Sequence, residues 1–450
     1  MAVNIPMVRT GVALLLLAAA QLAHAILPIE QWRTSSGARV LFVASRGLPI
    51  LDVSVDFPAG SVYDSRARSG TAGMTNGLLR LGAGGLHEDE IARRLADVGA
   101  ALGGRFETDR AGFSLRTLSD VPRRTQALDV MTRILSAPEF PEAVLEREKV
   151  RLLGALKEGD LKPDTQASRM FYQLVYRDHP YSLRTSGEVD SVSRLRRDDL
   201  LDFYRSHYLA DQAVVAIMGD VTRAEAEAIA EQLTRGLPRA DGKVPPPPPV
   251  PPLQDGITRV VAHPATQSHI LIGAPGIRRD DPDYFAILVG NHILGGGGFV
   301  SRINEEVRQK RGLAYSAYSY FSPLRARGPF IIGMQTRRDQ ADAALEVVRR
   351  TLRDFVDRGP TAAELQSAKQ NIIGGFPMRI DSNRKIHEYL GFIGFYNLPL
   401  GYLEDFVGNV ERVTLEDIRS AFARRVDPDR LVTVVVGADK DRTDTVQVAR

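Results

Sequence analysis

Residues 181–220 read "YSLRTSGEVDSVSRLRRDDLLDFYRSHYLADQAVVAIMGD", and residues 396–439 read "YNLPLGYLEDFVGNVERVTLEDIRSAFARRVDPDRLVTVVVGAD". Each stretch passes from a polar segment into a predicted helix and then, through a turn, into an apolar strand. Thr414 precedes Glu416 and Asp417, which is the pattern of a helix N-cap followed by acidic residues in the first turn. Because an internal repeat changes the whole fold assignment, we interpret the chain as two homologous halves.

The two halves also begin alike. The first has an alternating strand, "ILDVSVDFPAG", two helices, "GTAGMTNGLLRLG" and "EDEIARRLADVGA", and a further strand, "GFSLRTLSD". The second has a strand, "SHILIGAPG", a helix, "DYFAILVGNHIL", a glycine-rich loop, a helix and the strand "AYSAYSYFSP". This order predicts an α+β fold in which each half is a mostly antiparallel sheet covered by helices. We expect the halves to form a clamshell that binds its ligand between them.

A proline-rich segment divides the chain. Residues 244–253 read "VPPPPPVPPL", and consecutive prolines favour an extended polyproline II conformation. We predict an N-terminal half at 26–240, a linker at 241–254 and a C-terminal half at 255–450. Residues 1–25 combine Arg9, a short apolar run and Ala23-His24-Ala25, which is typical of a cleavable signal peptide. The expected location is therefore the periplasm.

The composition excludes several classes of function. The 450 residues contain 58 Lys and Arg and 55 Asp and Glu, a formal net charge of +3, with no basic cluster that indicates nucleic-acid binding. Cysteine is absent, which removes thiol nucleophiles, cysteine metal sites and disulfides. After the N-terminal segment no run of about 18 apolar residues occurs, so no membrane insertion is expected.

The most specific motif is "LGGGGFVSRINEEVRQKRGLAYSAYSYF", residues 294–321. It resembles the glycine-rich loop, helix and Arg/Tyr pair of the pitrilysin/insulinase metallopeptidases, which include the mitochondrial processing peptidase subunits and bacterial relatives. The resemblance implies a loop that binds substrate and an Arg and a Tyr that stabilise negative charge on the peptide carbonyl oxygen. The matching residues are Gly295, Gly296, Gly297, Gly298, Arg308 and Tyr315. A purely structural loop remains an alternative, whereas a phosphate-binding loop fits poorly because no Lys-Ser/Thr follows.

The positions that match the family's zinc site lack suitable side chains. Active members carry the inverted motif His-x-x-Glu-His on a helix, with a third Glu ligand downstream. The matching residues here are Gly73, Asn76, Gly77 and Gly154. Glycine has no ligand atom and asparagine is no general base, so we predict no metal in this chain. No His-x-x-x-His pair occurs elsewhere, and we expect His87 and His387 to lie on solvated helix faces.

The resemblance implies a subunit of a two-chain enzyme. A homologous subunit with an intact zinc motif would supply the zinc and the general base, and Arg308 and Tyr315 would act in trans on a peptide substrate. The alternative from another class is a stand-alone peptide-binding or chaperone-like clamshell without catalysis. A structural assembly subunit is a third interpretation.

Overall fold

The structure is a computed structural model that describes residues 28–239, 242–438 and 445–449. The predicted signal peptide lies outside the described residues. Residues 242–255, which include the proline-rich segment, form no helix or strand. The segment is fixed to the N-terminal half, because the His179 Nε2 atom lies 2.9 Å from the carbonyl oxygen of Pro248.

Six strands of the N-terminal half form one sheet. In chain order the strands of this half are β1 (Glu30–Arg33), β2 (Arg39–Ala44), β3 (Ile50–Phe57), β4 (Gly82–Ala83), β5 (Leu86–His87), β6 (Ala101–Phe106), β7 (Ala111–Leu118) and β8 (Val214–Gly219). The sheet order is β1-β2-β8-β3-β7-β6, and β4 pairs with β5 separately. Only β2 and β8 are parallel within this sheet, so it is mostly antiparallel, as predicted.

The C-terminal half repeats this topology. Its strands are β9 (Gly256–Ala262), β10 (Gln267–Pro275), β11 (Ala314–Phe321), β12 (Pro329–Arg337), β13 (Val432–Ala438) and β14 (Thr445–Ala449). The sheet order is β14-β9-β13-β10-β12-β11. It matches the order β1-β2-β8-β3-β7-β6 of the first sheet position by position, so that β9 corresponds to β2 and β11 to β6. Again one pair, β9 with β13, is parallel. The α+β fold with two homologous halves is therefore confirmed.

Helices cover both sheets. In the first half they are α1 (Thr71–Leu78), α2 (Glu88–Asp97), α3 (Val121–Ser136), α4 (Glu142–Gly159), α5 (Pro163–Tyr176), α6 (Val189–Ser193), α7 (Arg197–His207) and α8 (Arg223–Thr234). In the second they are α9 (Tyr284–Asn291), α10 (Arg302–Asn304), α11 (Ala341–Arg358), α12 (Ala362–Gly375), α13 (Asn383–Tyr396), α14 (Phe406–Arg412) and α15 (Leu415–Arg425). The repeated sequence forms α7 and β8 in one half and α15 and β13 in the other. Thr414 caps α15 as predicted, accepting a hydrogen bond from the amide of Asp417 at 3.1 Å.

The two halves exchange a helix. The N-terminal helix α5 packs on β10 and β13 of the second sheet, and the C-terminal helix α13 packs on β2, β3 and β8 of the first. The approach of α13 is close because Gly394 has no side chain: a Cβ atom there would lie 2.5 Å from the Val214 Cγ1 atom. One hydrophobic core lies within the first half, and a second joins both halves.

The exchange corrects one prediction. His387 does not lie on a solvated helix face, because α13 is covered by the first sheet and the residue is only 4% exposed. Its Nε2 atom lies 3.2 Å from the carbonyl oxygen of Ala216, and burial lowers the pKa of the imidazole. His87 is exposed, as expected, but it ends strand β5 and does not lie on a helix face.

A buried carboxylate also joins the halves. Asp109, which is fully buried, accepts hydrogen bonds from the Tyr181 hydroxyl at 2.7 Å and from the Arg325 amide at 2.7 Å. The Tyr396 hydroxyl of α13 donates to the same carboxylate at 3.2 Å. Buried polar groups are costly without partners, so these bonds favour one arrangement of the two halves.

Candidate functional site

A cavity of about 1040 Å³ lies between the halves. Most of its wall comes from α1, α4, α5 and residues 181–186 of the N-terminal half, and residues 322, 324 and 329 contribute from the C-terminal half. Phe106 and Thr108, at the end of the edge strand β6, also line it. The cavity therefore lies where the clamshell interpretation places a ligand.

The wall of this cavity includes part of the degenerate zinc motif. Gly73 and Gly77, one turn apart on α1, both line the cavity. Asn76 does not line it: this residue is 5% exposed, and its amide donates to the Tyr208 hydroxyl at 3.2 Å. Gly154 is exposed on α4, near the cavity-lining residues Arg151 and Ala155. The four positions thus lie on two helices, α1 and α4, and both helices line the same cavity.

An aromatic ring occupies the space beside Gly73. A Cβ atom at this position would lie 3.0 Å from Cε1 and 3.3 Å from Cζ of Phe106. Gly77 and Gly154, in contrast, have no heavy atom within 4 Å of such a Cβ position. Within the described residues no group of three or more His, Cys, Asp or Glu is placed to hold a metal ion. The side chains at these four positions do not fit the family's zinc ion.

This geometry predicts how a zinc site could be restored. The combined variant Gly73→His, Asn76→Glu, Gly77→His and Gly154→Glu is expected to retain less than one zinc per chain, because the Phe106 ring lies 3.0 Å from the Cβ position of residue 73 and must shift to admit the first ligand. Addition of Phe106→Ala removes the ring and is expected to raise binding towards one zinc per chain. Zinc per chain after gel filtration is the measurement, with cooperative unfolding as the control for folding. Stoichiometric zinc in the variant that retains Phe106 would contradict this explanation.

Ion pairs line much of the cavity. Arg147 makes two hydrogen bonds to Glu88, at 2.6 and 2.7 Å, and one to Glu148 at 3.0 Å. The hydrogen bonds from Arg147 hold the pKa of Glu88 below its ordinary value. Arg80 also lines the cavity and has no ion-pair partner among the described residues. The wall therefore offers both apolar surface and charged groups to a peptide.

The glycine-rich loop lies on the other half, beside β11. Its first two glycines, Gly295 and Gly296, belong to a π-helical turn at His292–Gly296, and a second π-helical turn spans Glu305–Gln309. Gly295 is buried against β11, where a Cβ atom would lie 2.4 Å from the Ser319 Oγ atom, and Gly298 has a positive φ of 64°. Gly295 therefore has a packing role. None of the four loop glycines lines the large cavity.

Arg308 and Tyr315 lie side by side. The Arg308 Cζ atom is 5.0 Å from the ring centroid of Tyr315 and 4.7 Å from that of Phe299, so the guanidinium lies against both aromatic rings. Tyr315 is 79% exposed and Phe299 is 63% exposed. Within the described residues the guanidinium and the Tyr315 hydroxyl make no ion pair or side-chain hydrogen bond. Both groups are free to contact another molecule, although neither lines the large cavity.

The helix after the loop is fixed by an ion pair. Arg302 contacts Glu364 at 2.6 and 2.7 Å, and the same carboxylate accepts from the Thr361 amide at 2.7 Å. Burial raises the pKa of Glu364, but the hydrogen bonds from Arg302 and Thr361 outweigh it and lower the pKa from 4.5 to about 2. The charged form is thus favoured by folding.

A pH-dependent stability follows from this depressed pKa. Because the folded value lies below the ordinary one, the contribution is complete above pH 4.5 and is lost as the pH falls towards about 2. We expect Glu364→Gln to lower the free energy of unfolding by about 1–2 kcal/mol at neutral pH, since the pair is partly exposed to solvent. Urea unfolding should show this difference shrinking below pH 4.5. The exposed Glu346→Gln is the control, and a difference that does not depend on pH would exclude this explanation.

One feature of the site and one of the contact between the halves carry no sequence signal. Phe106 lies 33 residues from Gly73 in the chain, in the unremarkable strand "ALGGRF". Asp109 looks like an ordinary turn residue until the fold brings Tyr181, Arg325 and Tyr396 to it. Only a sequence alignment with a structure of the same fold could have indicated either role.

Comparison with known proteins identifies the family. Residues 39–188 match the family described as Insulinase (Peptidase family M16), and residues 194–372 match the Peptidase M16 inactive domain. A crystal structure described as a peptidase M16 inactive domain from Pseudomonas fluorescens is 37% identical, with a TM-score of 0.87 over 92% of this chain and 99% of that chain.

Two curated relatives carry contrasting names. A protein of Streptomyces coelicolor named an uncharacterized zinc protease is 26% identical over 93% of this chain and 92% of its own length. A protein of Helicobacter pylori named a non-peptidase homolog is 23% identical over 89% of this chain and 92% of its own length. With the repeated fold and the matching motifs, these similarities show that the chain belongs to the insulinase family, peptidase family M16.

Proposed function

We propose that the chain is the non-metal-binding subunit of a two-chain zinc peptidase. A homologous partner subunit supplies the zinc ion and the general base, and this chain contributes Arg308 and Tyr315 together with part of the surface that binds the peptide. The observation that carries the proposal is the contrast between two sets of positions. Three zinc-motif positions are glycines without a ligand atom, and Asn76 is no general base. In contrast, Arg308 and Tyr315 are present and adjacent, and their side chains have no ion-pair or hydrogen-bond partner among the described residues.

The exposure of the Arg308 pair supports action on another molecule. In peptide hydrolysis negative charge develops on the carbonyl oxygen, and donors already in position stabilise it. Contacts with Phe299 and Tyr315 restrict the orientation of the Arg308 guanidinium. Its N–H groups can therefore donate to a substrate oxygen without first breaking a hydrogen bond within the described part of the chain. Because the pair does not line the large cavity of its own chain, we place its target in the partner's site.

Zinc content and cleavage assays test the proposal. The mature chain, purified alone and supplied with zinc, is expected to bind no stoichiometric zinc and to leave a fluorogenic peptide library intact. Coexpression with a family member from the same organism that has an intact His-x-x-Glu-His motif is expected to give a complex that cleaves peptides. Cleavage by the isolated chain would overturn the proposal.

Peptide binding without catalysis is the second candidate, and the large cavity favours it. The exposed edge strand β6 ends in this cavity, and a strand edge can pair with an extended peptide through main-chain hydrogen bonds. If the chain binds peptides alone, and no homologous chain increases the affinity or produces cleavage, this function replaces the first. Both functions require a peptide ligand.

We also propose a periplasmic location, which rests on the sequence of residues 1–25. N-terminal sequencing of the protein recovered from cells is expected to start after Ala25. A helix long and apolar enough to cross a membrane does not occur in the part of the chain that the structure describes.

A further inference from the structure

A second cavity, of about 540 Å³, has walls of aromatic side chains. It lies among α13, α14 and the beginning of α9, and shares no residue with the large cavity. Five aromatic residues surround it: Tyr284, Tyr389, Phe392, Tyr402 and Phe406. This size and lining are typical of small-molecule sites, in which apolar walls hold a ligand and a few polar groups orient it.

The charged side chains at this cavity are mainly basic. Arg110, Arg379 and Lys385 line it, with one carboxylate, that of Glu388. Two of the basic side chains are already paired: Lys385 with Asp381 at 3.0 Å and Arg110 with Glu107 at 2.9 Å. Arg379 is exposed and has no ion-pair partner among the described residues. Arg279 lies behind the aromatic wall, with its Cζ atom 4.7 Å from the ring centroid of Phe392, and likewise has no carboxylate partner there. These two arginines without carboxylate partners therefore favour an anion.

Arg110 is the buried polar group of the cavity. It is 6% exposed, and its Nε and Nη2 atoms donate to Glu107 at 2.9 and 3.1 Å. Its Nη1 atom has no hydrogen-bond acceptor among the described residues, and the Asp56 carboxylate oxygen is 3.7 Å away. A buried N–H without an acceptor is costly, but this atom has no surface open to the cavity, so a ligand there would reach it only after a shift of the Arg110 side chain.

We propose that this cavity binds a ligand with an aromatic ring and a carboxylate. The ring packs among the five aromatic side chains, and the carboxylate contacts Arg379, since arginine is the residue best suited to hold it. Aromatic cages also bind cations, but the positive charge of Arg379 in the wall, which has no ion-pair partner among the described residues, opposes a cation here. A single carboxylate is likewise too few for a metal ion. The proposal is independent of the peptidase hypothesis.

The same chemistry occurs in free aromatic acids and in peptides that end in an aromatic residue. Isothermal titration calorimetry of the full mature chain with 3-phenylpropionate and with a short peptide ending in phenylalanine separates the two sources. The controls are 3-phenylpropanamide and the C-terminally amidated peptide, which keep the ring but lose the charge. Each acid that binds is expected to bind about tenfold more tightly than its amide.

Variants locate the site. Arg379→Ala and Phe392→Ala are each expected to weaken acid binding about tenfold, whereas Arg358→Ala, an exposed residue of α11, leaves it unchanged. Arg379 is exposed, so its variant is expected to fold even if Phe392→Ala does not. Selective binding of either acid with this pattern supports the site, and the tighter acid identifies the source. Equal binding of acid and amide, no heat at millimolar ligand, or full affinity in Arg379→Ala would overturn the proposal.

Discussion

Arg308→Ala is expected to reduce the peptidase activity of the assembled two-chain complex about 10²- to 10³-fold, because removal of one positioned donor to the carbonyl oxygen has an effect of this size. The loss should appear mainly in kcat, since the charge on that oxygen develops in the transition state. Arg308→Lys keeps the charge but loses the planar contact with Phe299 and Tyr315, so it should restore only part of the activity.

A neighbouring residue provides the matched control. Lys310 is exposed, follows Arg308 in the same segment and pairs with Glu306 at 2.7 Å. Lys310→Ala removes a positive charge from the same surface and is expected to leave kcat within about twofold, because exposed ion pairs contribute little. Equal losses in the two variants would indicate a general electrostatic effect, and full activity in Arg308→Ala would exclude the proposed role.

Asp56→Ala is expected to lower the free energy of unfolding by about 3–5 kcal/mol, since the largely buried Arg105 guanidinium loses both of its hydrogen bonds to this carboxylate. Asp56 is fully buried and contacts the Arg105 Nη1 atom at 2.8 Å and the Arg110 Nη1 atom at 3.7 Å. Helix α13 of the other half covers it: a Cβ atom on Gly391 would lie 3.0 Å from the Asp56 Oδ2 atom. The loss therefore affects the contact between the halves as well as the first sheet.

Urea unfolding measures this effect, with Asp97→Ala as the control. Asp97 pairs with Arg93 at 3.1 Å, but its side chain is 50% exposed, so its removal should change the free energy of unfolding by less than about 0.5 kcal/mol. Asp56→Asn tests the charge at nearly constant volume and should also be strongly destabilising. Equal effects of Asp56→Ala and Asp97→Ala would show that the buried ion pairs do not stabilise the contact between the halves.

The repeated halves were predictable because their signals are local. Alternation in "ILDVSVDFPAG" predicts β3, and Thr414 with the following acids predicts the start of α15; both elements form as expected. The helix exchange was not predictable, since the apolar residues of α5 and α13 show that each helix is buried but not on which sheet. His387 illustrates the consequence: its polar neighbours indicate a solvated face, whereas the exchange places it under the other half.

Only the parts of the candidate site that belong to sequence motifs were predictable. Gly73, Gly77 and Gly154 are recognised by spacing, and the fold places the first two in the wall of a cavity. The ring of Phe106 lies beside Gly73 through a contact between segments that are distant in sequence. Arg308 lies against exposed aromatic rings in a segment whose backbone makes a π-helical turn. Neither arrangement could be read from the sequence. Whether Arg308 and Tyr315 act on a substrate stays a prediction.

Native purification of the mature chain from its own cells, followed by mass spectrometry and zinc analysis of what stays bound, tests the central claim most directly. The two-subunit account predicts that a homologous chain with an intact His-x-x-Glu-His motif copurifies, carries the zinc and cleaves peptides only in the complex. A chain that elutes without such a partner and hydrolyses peptides by itself would contradict the account.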